Sequence, residues 1–101
     1  MNLSKVQEIY DSPSIDSEIK LGGWVRAFRA NKFIELNDGS TIKNIQCVIN
    51  DGIIDEDIIK RISVGCSLII IGKLVNSIGK GQSFEINVSN IKLLGESDPE
   101  K

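Results

Sequence analysis

Eighteen isoleucines and six valines stand among 101 residues, and this excess of β-branched side chains constrains the chain toward strands. Two heavy atoms on Cβ fit a pleated surface better than the crowded turn of a helix. Residues 18–28 show the pattern best: Ile19, Leu21, Gly23, Val25 and Ala27 fall on one side, and Lys20, Gly22, Trp24, Arg26 and Phe28 on the other. That period-two alternation predicts a long first strand, and the paired glycines Gly22 and Gly23 predict a strong bend of the kind a small barrel needs at its corner. A chain of this length holds one core and leaves little room for a second.

The other elements follow in order. Residues 4–10 offer Ser4 as a cap, Glu8, and the spacing Val6, Ile9, Tyr10, which predicts a short helix ending before Pro13. Residues 32–37 form a second strand, Asn37-Asp38-Gly39-Ser40 a turn, and residues 45–50 a third strand that completes a hairpin. Apolar residues at 54, 58, 59 and 62 then keep helical spacing. Asp55, Glu56 and Asp57 fall in the first turn of that helix, Lys60 and Arg61 in the last, and Gly65 ends it. The acidic triplet lacks the ligand spacing of a calcium loop, so no metal is expected there. Residues 67–75 form a fourth strand, a turn is expected around Gly79-Lys80-Gly81, and residues 84–94 form the fifth. That Gly-Lys-Gly stretch lacks the earlier glycine and the following Ser or Thr of a phosphate loop. Helix, three strands, helix, two strands is the order of an all-β, five-stranded Greek-key OB-fold barrel, with a short N-terminal helix and a helix between strands three and four. Such barrels commonly bind oligonucleotides on the face of strands two and three.

Composition removes many functions. With no histidine in the chain, Ser-His-Asp and Cys-His catalysis, histidine metal sites and a histidine pH switch are all excluded. Cys47 and Cys66 each sit in an apolar run, which suits free buried thiols better than a disulfide framework. No stretch approaches a membrane span, and residues 1–10 lack a basic region followed by an apolar core, so a cytoplasmic protein without membrane contact is expected. The net charge of −2 excludes a purely electrostatic nucleic-acid coat, yet charge is segregated: residues 20–46 carry five basic and two acidic side chains.

The isoleucines fix the strand phase. Ile19, Leu21, Val25, Ile34, Leu36, Ile45, Cys47, Ile49, Ile86 and Val88 are expected inside, with Trp24, Arg26, Phe28, Phe33, Glu35, Gln46, Val48, Glu85 and Asn87 outside. Phe33 is the anomaly, a large aromatic beside Glu35 on the polar side of a short strand. Either the N-terminal helix or a loop lies over it, or it is a platform on which an unpaired base stacks. Arg26, Arg29, Lys32 and Gln46 are near it in strand order. Gln46, with a donor and an acceptor, matches a uracil-like edge or is an ordinary solvated residue. Glu85 suits a guanine edge as well as a surface ion pair.

Gly23-Trp24-Val25-Arg26, then Arg29, then Phe33-Ile34-Glu35-Leu36-Asn37-Asp38-Gly39-Ser40, then Asn44-Ile45-Gln46-Cys47-Val48 resembles the anticodon-binding domain of class IIb aminoacyl-tRNA synthetases. The asparaginyl branch is nearest, since aspartyl relatives usually carry a basic residue where Asn37 stands and lack the Asp-Gly-Ser turn. The likeness covers residues 18–95. It implies that Phe33 stacks on the central anticodon uracil, that Arg29 and Gln46 bond its edge, that Glu85 faces the first base, and that Arg26 lines the same site. The connection Ala30-Asn31-Lys32 is shorter than in many relatives, so Arg29 can be aimed differently, and Asn31 or Lys32 would take a backbone phosphate.

The resemblance further implies residues 1–17 as a helical extension, 18–95 as the barrel, and 96–101 as the start of a hinge to a catalytic domain absent here. The partner would be the anticodon loop of an asparagine-specific tRNA. This piece would carry no catalytic residue and no cofactor; the parent, a homodimer, would use ATP and Mg²⁺. Two other readings stand beside it: a general single-strand-binding barrel without sequence choice, and a protein-docking barrel that binds no nucleic acid.

Overall fold

A computed structural model describes residues 3–77 and 84–95, so the turn expected at Gly79-Lys80-Gly81 lies outside the described residues. The elements are α1 (Val6–Asp11), β1 (Glu18–Arg29), β2 (Phe33–Asn37), β3 (Ile45–Val48), α2 (Glu56–Arg61), β4 (Ser67–Asn76) and β5 (Phe84–Gly95). The strands close into a barrel in the order β1-β2-β3-β5-β4. Only β3 and β5 pair in parallel; β1 with β2, β1 with β4, β2 with β3 and β4 with β5 run antiparallel. This is the five-stranded OB barrel that the element order predicts, and each strand bound lies within two residues of its expected place. No helix of the described residues is long and apolar enough to cross a membrane.

The period-two reading of the core holds closely. All ten residues assigned inward are at most 8% exposed, and β4 adds Leu68, Ile70 and Leu74 at 0%. β1 is long because it serves two neighbours, pairing with β4 from Glu18 to Trp24 and with β2 from Trp24 to Arg29. Gly23 stands at that change of partner, where an added Cβ would lie 2.4 Å from the Asn37 carbonyl oxygen. A side chain there would push β2 away, so the bend expected of the glycine pair is a close approach of two strands.

Phe28 is a correction. Val25 pairs with Leu36 but Ala27 with Glu35, which leaves Arg26 as the extra residue of a β-bulge. One extra residue reverses the phase of everything after it. Phe28, expected outside, therefore lies opposite Ile34 and packs half-buried against the core, while Ala27 takes the outer position beside Glu35.

The helices differ from expectation at their ends. Ser4 does not cap α1: its backbone N–H donates to the Lys20 carbonyl at 2.8 Å, in a bridge to Leu21. Lys5 is the N-cap, its amide donating to Glu8 Oε1 at 3.1 Å, and the β2–β3 loop supplies the rest: Asp38 Oδ2 accepts from the Val6 amide and Ser40 Oγ from the Gln7 amide, each at 3.0 Å. Burial pushes the Asp38 carboxyl upward, but hydrogen bonds from the Ser40 hydroxyl and amide and from the Val6 amide outweigh it and hold the group below its ordinary range. α2 is shorter than the apolar spacing suggests. Asp55 is its N-cap, accepting from the Asp57 amide at 2.8 Å, so Ile54 and Ile62 flank the helix as buried residues. Gly65 lies beyond the helix end, in a turn with φ of 92°, and its N–H donates to the Val25 carbonyl.

Candidate nucleic-acid interface

Two rows of side chains cross the outer face of β1, β2, β3 and β5. Arg29 lies opposite Phe33, Phe33 opposite Val48, and Val48 opposite Asn87. One step along, Ala27 lies opposite Glu35 and Glu35 opposite Gln46. The Gln46 amide extends this row to β5 by donating to Glu85 Oε1 at 3.4 Å. Residues directly opposite across a ladder have Cβ atoms about 4.5–5.5 Å apart, so Phe33, Gln46 and Glu85 share one surface, as the sequence predicts.

Phe33 is half-buried at the start of β2, on the outer wall and apart from the core cluster. The helix does not lie over it. α1 makes its contacts at the opposite end of β2, through Asp38 and Ser40, and Tyr10 donates to the Asn44 carbonyl at 2.7 Å with its ring 5.1 Å from that of Phe84. Lys32 places its Nζ 5.8 Å from the centre of the Phe33 ring. Val48, beside Phe33, is only 7% exposed although it faces outward, so this part of the face is an apolar shelf. A cleft of about 480 Å³ opens next to the shelf, between Asn31 and Lys32 on one side and Ile59 and Lys60 of α2 on the other.

The β1–β2 connection is a tight turn closed by the Lys32 amide on the Arg29 carbonyl at 3.0 Å. Ala30 and Asn31 are both left-handed, with φ of 56° and 53°. Asparagine tolerates that region, whereas alanine pays roughly 1–2 kcal/mol for it, which is strain concentrated beside the shelf. The turn leaves Asn31 exposed and Lys32 half-buried at the tip. It also sets Arg29 so that Nη1 donates to Glu35 Oε2 at 2.7 Å. Arg26 is exposed at the bulge and set apart from the two rows.

Four expected site residues, Arg29, Phe33, Gln46 and Glu85, are thus brought together, with Asn31 and Lys32 at the adjoining tip. Sequence reasoning placed Glu35 outside but gave it no role. Its signal was there: an outward acid two residues from Phe33 and six from an arginine. Tyr10 and Lys43 were also missed. Lys43 Nζ lies 4.9 Å from the centre of the Tyr10 ring, and burial, followed by the Glu35 carboxylate, raises the Tyr10 hydroxyl above its usual range. On the two rows and the tip, Arg29 and Lys32 are balanced by Glu35 and Glu85, so phosphate attraction alone cannot hold a strand here. Carboxylates on such a face suit base edges that present N–H groups. Beneath Glu85, burial and then that carboxylate push the Cys47 thiol far up, so it stays neutral and unreactive.

A closed five-stranded barrel with a half-buried outward aromatic ring, an amide and carboxylates on one face has the architecture of the OB barrels, a class that commonly binds oligonucleotides on this face. The family model for the OB-fold nucleic acid binding domain matches residues 19–94, and the chain belongs to that family. The likeness to class IIb synthetases read from the sequence is borne out. The chain is 40% identical over 101 residues to the asparagine-tRNA ligase of Borreliella afzelii, covering 95% of this chain and 22% of that protein. It is 41% identical over 100 residues to the asparagine-tRNA ligase of Lawsonia intracellularis, covering 96% of this chain and 22% of the relative. The chain thus spans about a fifth of the length of these curated relatives. Among solved structures, the asparaginyl-tRNA synthetase of Pyrococcus horikoshii complexed with asparaginyl-adenylate superposes with a TM-score of 0.79 at 18% identity, over 97% of this chain and 23% of the other, a likeness of fold.

Proposed function

We propose that the chain is the anticodon-reading domain of an asparagine-tRNA ligase. The observation that carries the proposal is the outward Phe33 ring, standing with Arg29 and Gln46 on one face instead of in the core. A uracil stacked on that ring presents two carbonyl oxygens and one N–H along its edge. The Gln46 carbonyl accepts from the N–H, and Arg29 donates to an oxygen. Glu85 accepts from the two N–H groups on a guanine edge at the neighbouring position, and Asn31 and Lys32 at the hairpin tip take a phosphate. Arg26, at the bulge, adds positive charge along the strand's path.

In this reading the chain selects tRNA and leaves the chemistry to the longer protein. That protein would attach asparagine using ATP and Mg²⁺ in a domain outside this chain, in the cytoplasm and as a homodimer. The support is the 40% identity to ligases of that activity over nearly the whole chain.

Fluorescence anisotropy with a labelled stem-loop tests the proposal. A loop carrying guanine, uracil, uracil is expected to bind at least roughly tenfold more tightly than the same stem with a scrambled loop, since each lost base contact costs about 1–3 kcal/mol. Equal affinities, with pyrimidine strands bound as well as either, would replace this reading with a general single-strand binder. Binding to none of these RNAs would leave a protein-docking barrel.

A further inference from the structure

We propose that Glu35 is a positioning residue that sets the selectivity of the face, holding Arg29 over the bound base while penalising strands that do not use Arg29. The inference rests on the anticodon reading above and adds a residue to it. Arg29 ends β1 with its side chain 56% exposed, and an arginine so placed samples many rotamers when nothing holds it. Glu35 holds it: Nη1 meets Oε2 at 2.7 Å, from a carboxylate that is itself only 27% exposed and fixed on the central strand of the face. The contact uses one nitrogen of the guanidinium. The remaining N–H groups of the fork stay available to a base edge.

The register gives Glu35 its second property. It lies directly opposite Gln46, which donates to Glu85, so the four polar groups form a line from Arg29 through Glu35 and Gln46 to Glu85. A carboxylate in the middle of a polyanion site repels every strand that enters. For a binder without sequence choice it would be a pure cost. A loop whose base engages Arg29 and Gln46 recovers that cost through ordered contacts, and a wrong loop does not, which is how a repulsive element widens a difference of affinities. Arg29 is exposed and Glu35 faces outward on the barrel wall, so the pair adds little to fold stability and can be altered without unfolding the barrel.

The test compares Glu35→Gln, Arg29→Ala and the double variant, each titrated with the guanine-uracil-uracil stem-loop and with the scrambled one. Glu35→Gln is expected to bind the first about fivefold more weakly and the second equally or more tightly, contracting the ratio between them by roughly five- to tenfold. With Arg29→Ala already present, adding Glu35→Gln is expected to leave affinity for the first loop unchanged or to raise it, and no longer to weaken it, because the positioning role has nothing left to act on and only the repulsion is removed. Glu35→Gln binding both loops more tightly by one common factor would overturn the proposal, showing only general repulsion. A ratio near one in the unaltered chain would overturn the anticodon reading itself, and Glu35 with it, whereas an intact ratio in Glu35→Gln would overturn the role of Glu35 alone.

Discussion

Phe33→Ala is expected to weaken binding of the guanine-uracil-uracil stem-loop by about 1–3 kcal/mol, roughly 5- to 150-fold, with the barrel still folded. The loss follows from the shelf. Val48, opposite Phe33 across the ladder, is 7% exposed and offers a base little surface of its own, so removing the ring takes away the stacking surface. Fold stability should fall by only about 1 kcal/mol, because the ring is half-buried on the outer wall and none of the core depends on it. Gln46→Ala is expected to lose a comparable amount of affinity, for another reason. It removes the carbonyl that would accept from the uracil and the amide that holds Glu85 at 3.4 Å. Circular dichroism and thermal melting of both variants, alongside the titration, separate binding from folding. If either change unfolds the domain, the outward assignment of that side chain is wrong.

The second large effect lies in the fold. Asn37→Asp is expected to destabilise the domain by about 2–4 kcal/mol, lowering its melting temperature by roughly 10–20 °C. Asn37 is the one buried polar residue among those described, at 7% exposure. Its Nδ2 serves the Thr41 and Lys43 carbonyls and Asn44 Oδ1 at 3.0–3.2 Å, and its Oδ1 accepts from the Gly39 amide at 2.7 Å. A carboxylate would turn a donor into a charged acceptor facing three acceptors, in a site shielded from water. The loop that Asn37 organises also supplies Asp38 and Ser40 to the first two amides of α1, so the helix should loosen with it. A melting temperature within about 3 °C of the unaltered protein would contradict this account, since even 1 kcal/mol moves a domain of this size by more. The Asn37-Asp38-Gly39-Ser40 stretch is thus a structural clip at the far end of β2 from Phe33.

The barrel was legible because its core obeys one rule: isoleucine alternation puts ten named residues inside, and all ten are buried. The rule fails where a single residue escapes the count. Arg26 bulges, and Phe28 turns inward with no local mark to show it, since a bulge is defined by the partner strand and not by its own sequence. The cap of α1 was illegible for a similar reason. Ser4 looks like a cap, but Asp38, 32 residues from Val6, does that work, and local reading has no view of such a partner. At the site, alternation located Phe33, Gln46 and Glu85, because facing outward is a property of the strand. It could not say where a long side chain folds once it is outside. Arg29 lies against Glu35 because the tight Ala30-Asn31 turn brings it there, and only coordinates of both strands display that pair.

The central claim is that the Phe33 ring takes an unpaired base, and site-specific crosslinking tests it most directly. A stem-loop with 5-iodouridine at the central loop position, irradiated in complex with the protein and mapped by mass spectrometry, is expected to join Phe33. Adducts confined to the β4 wall of the barrel, with Phe33 unmodified, would contradict the account.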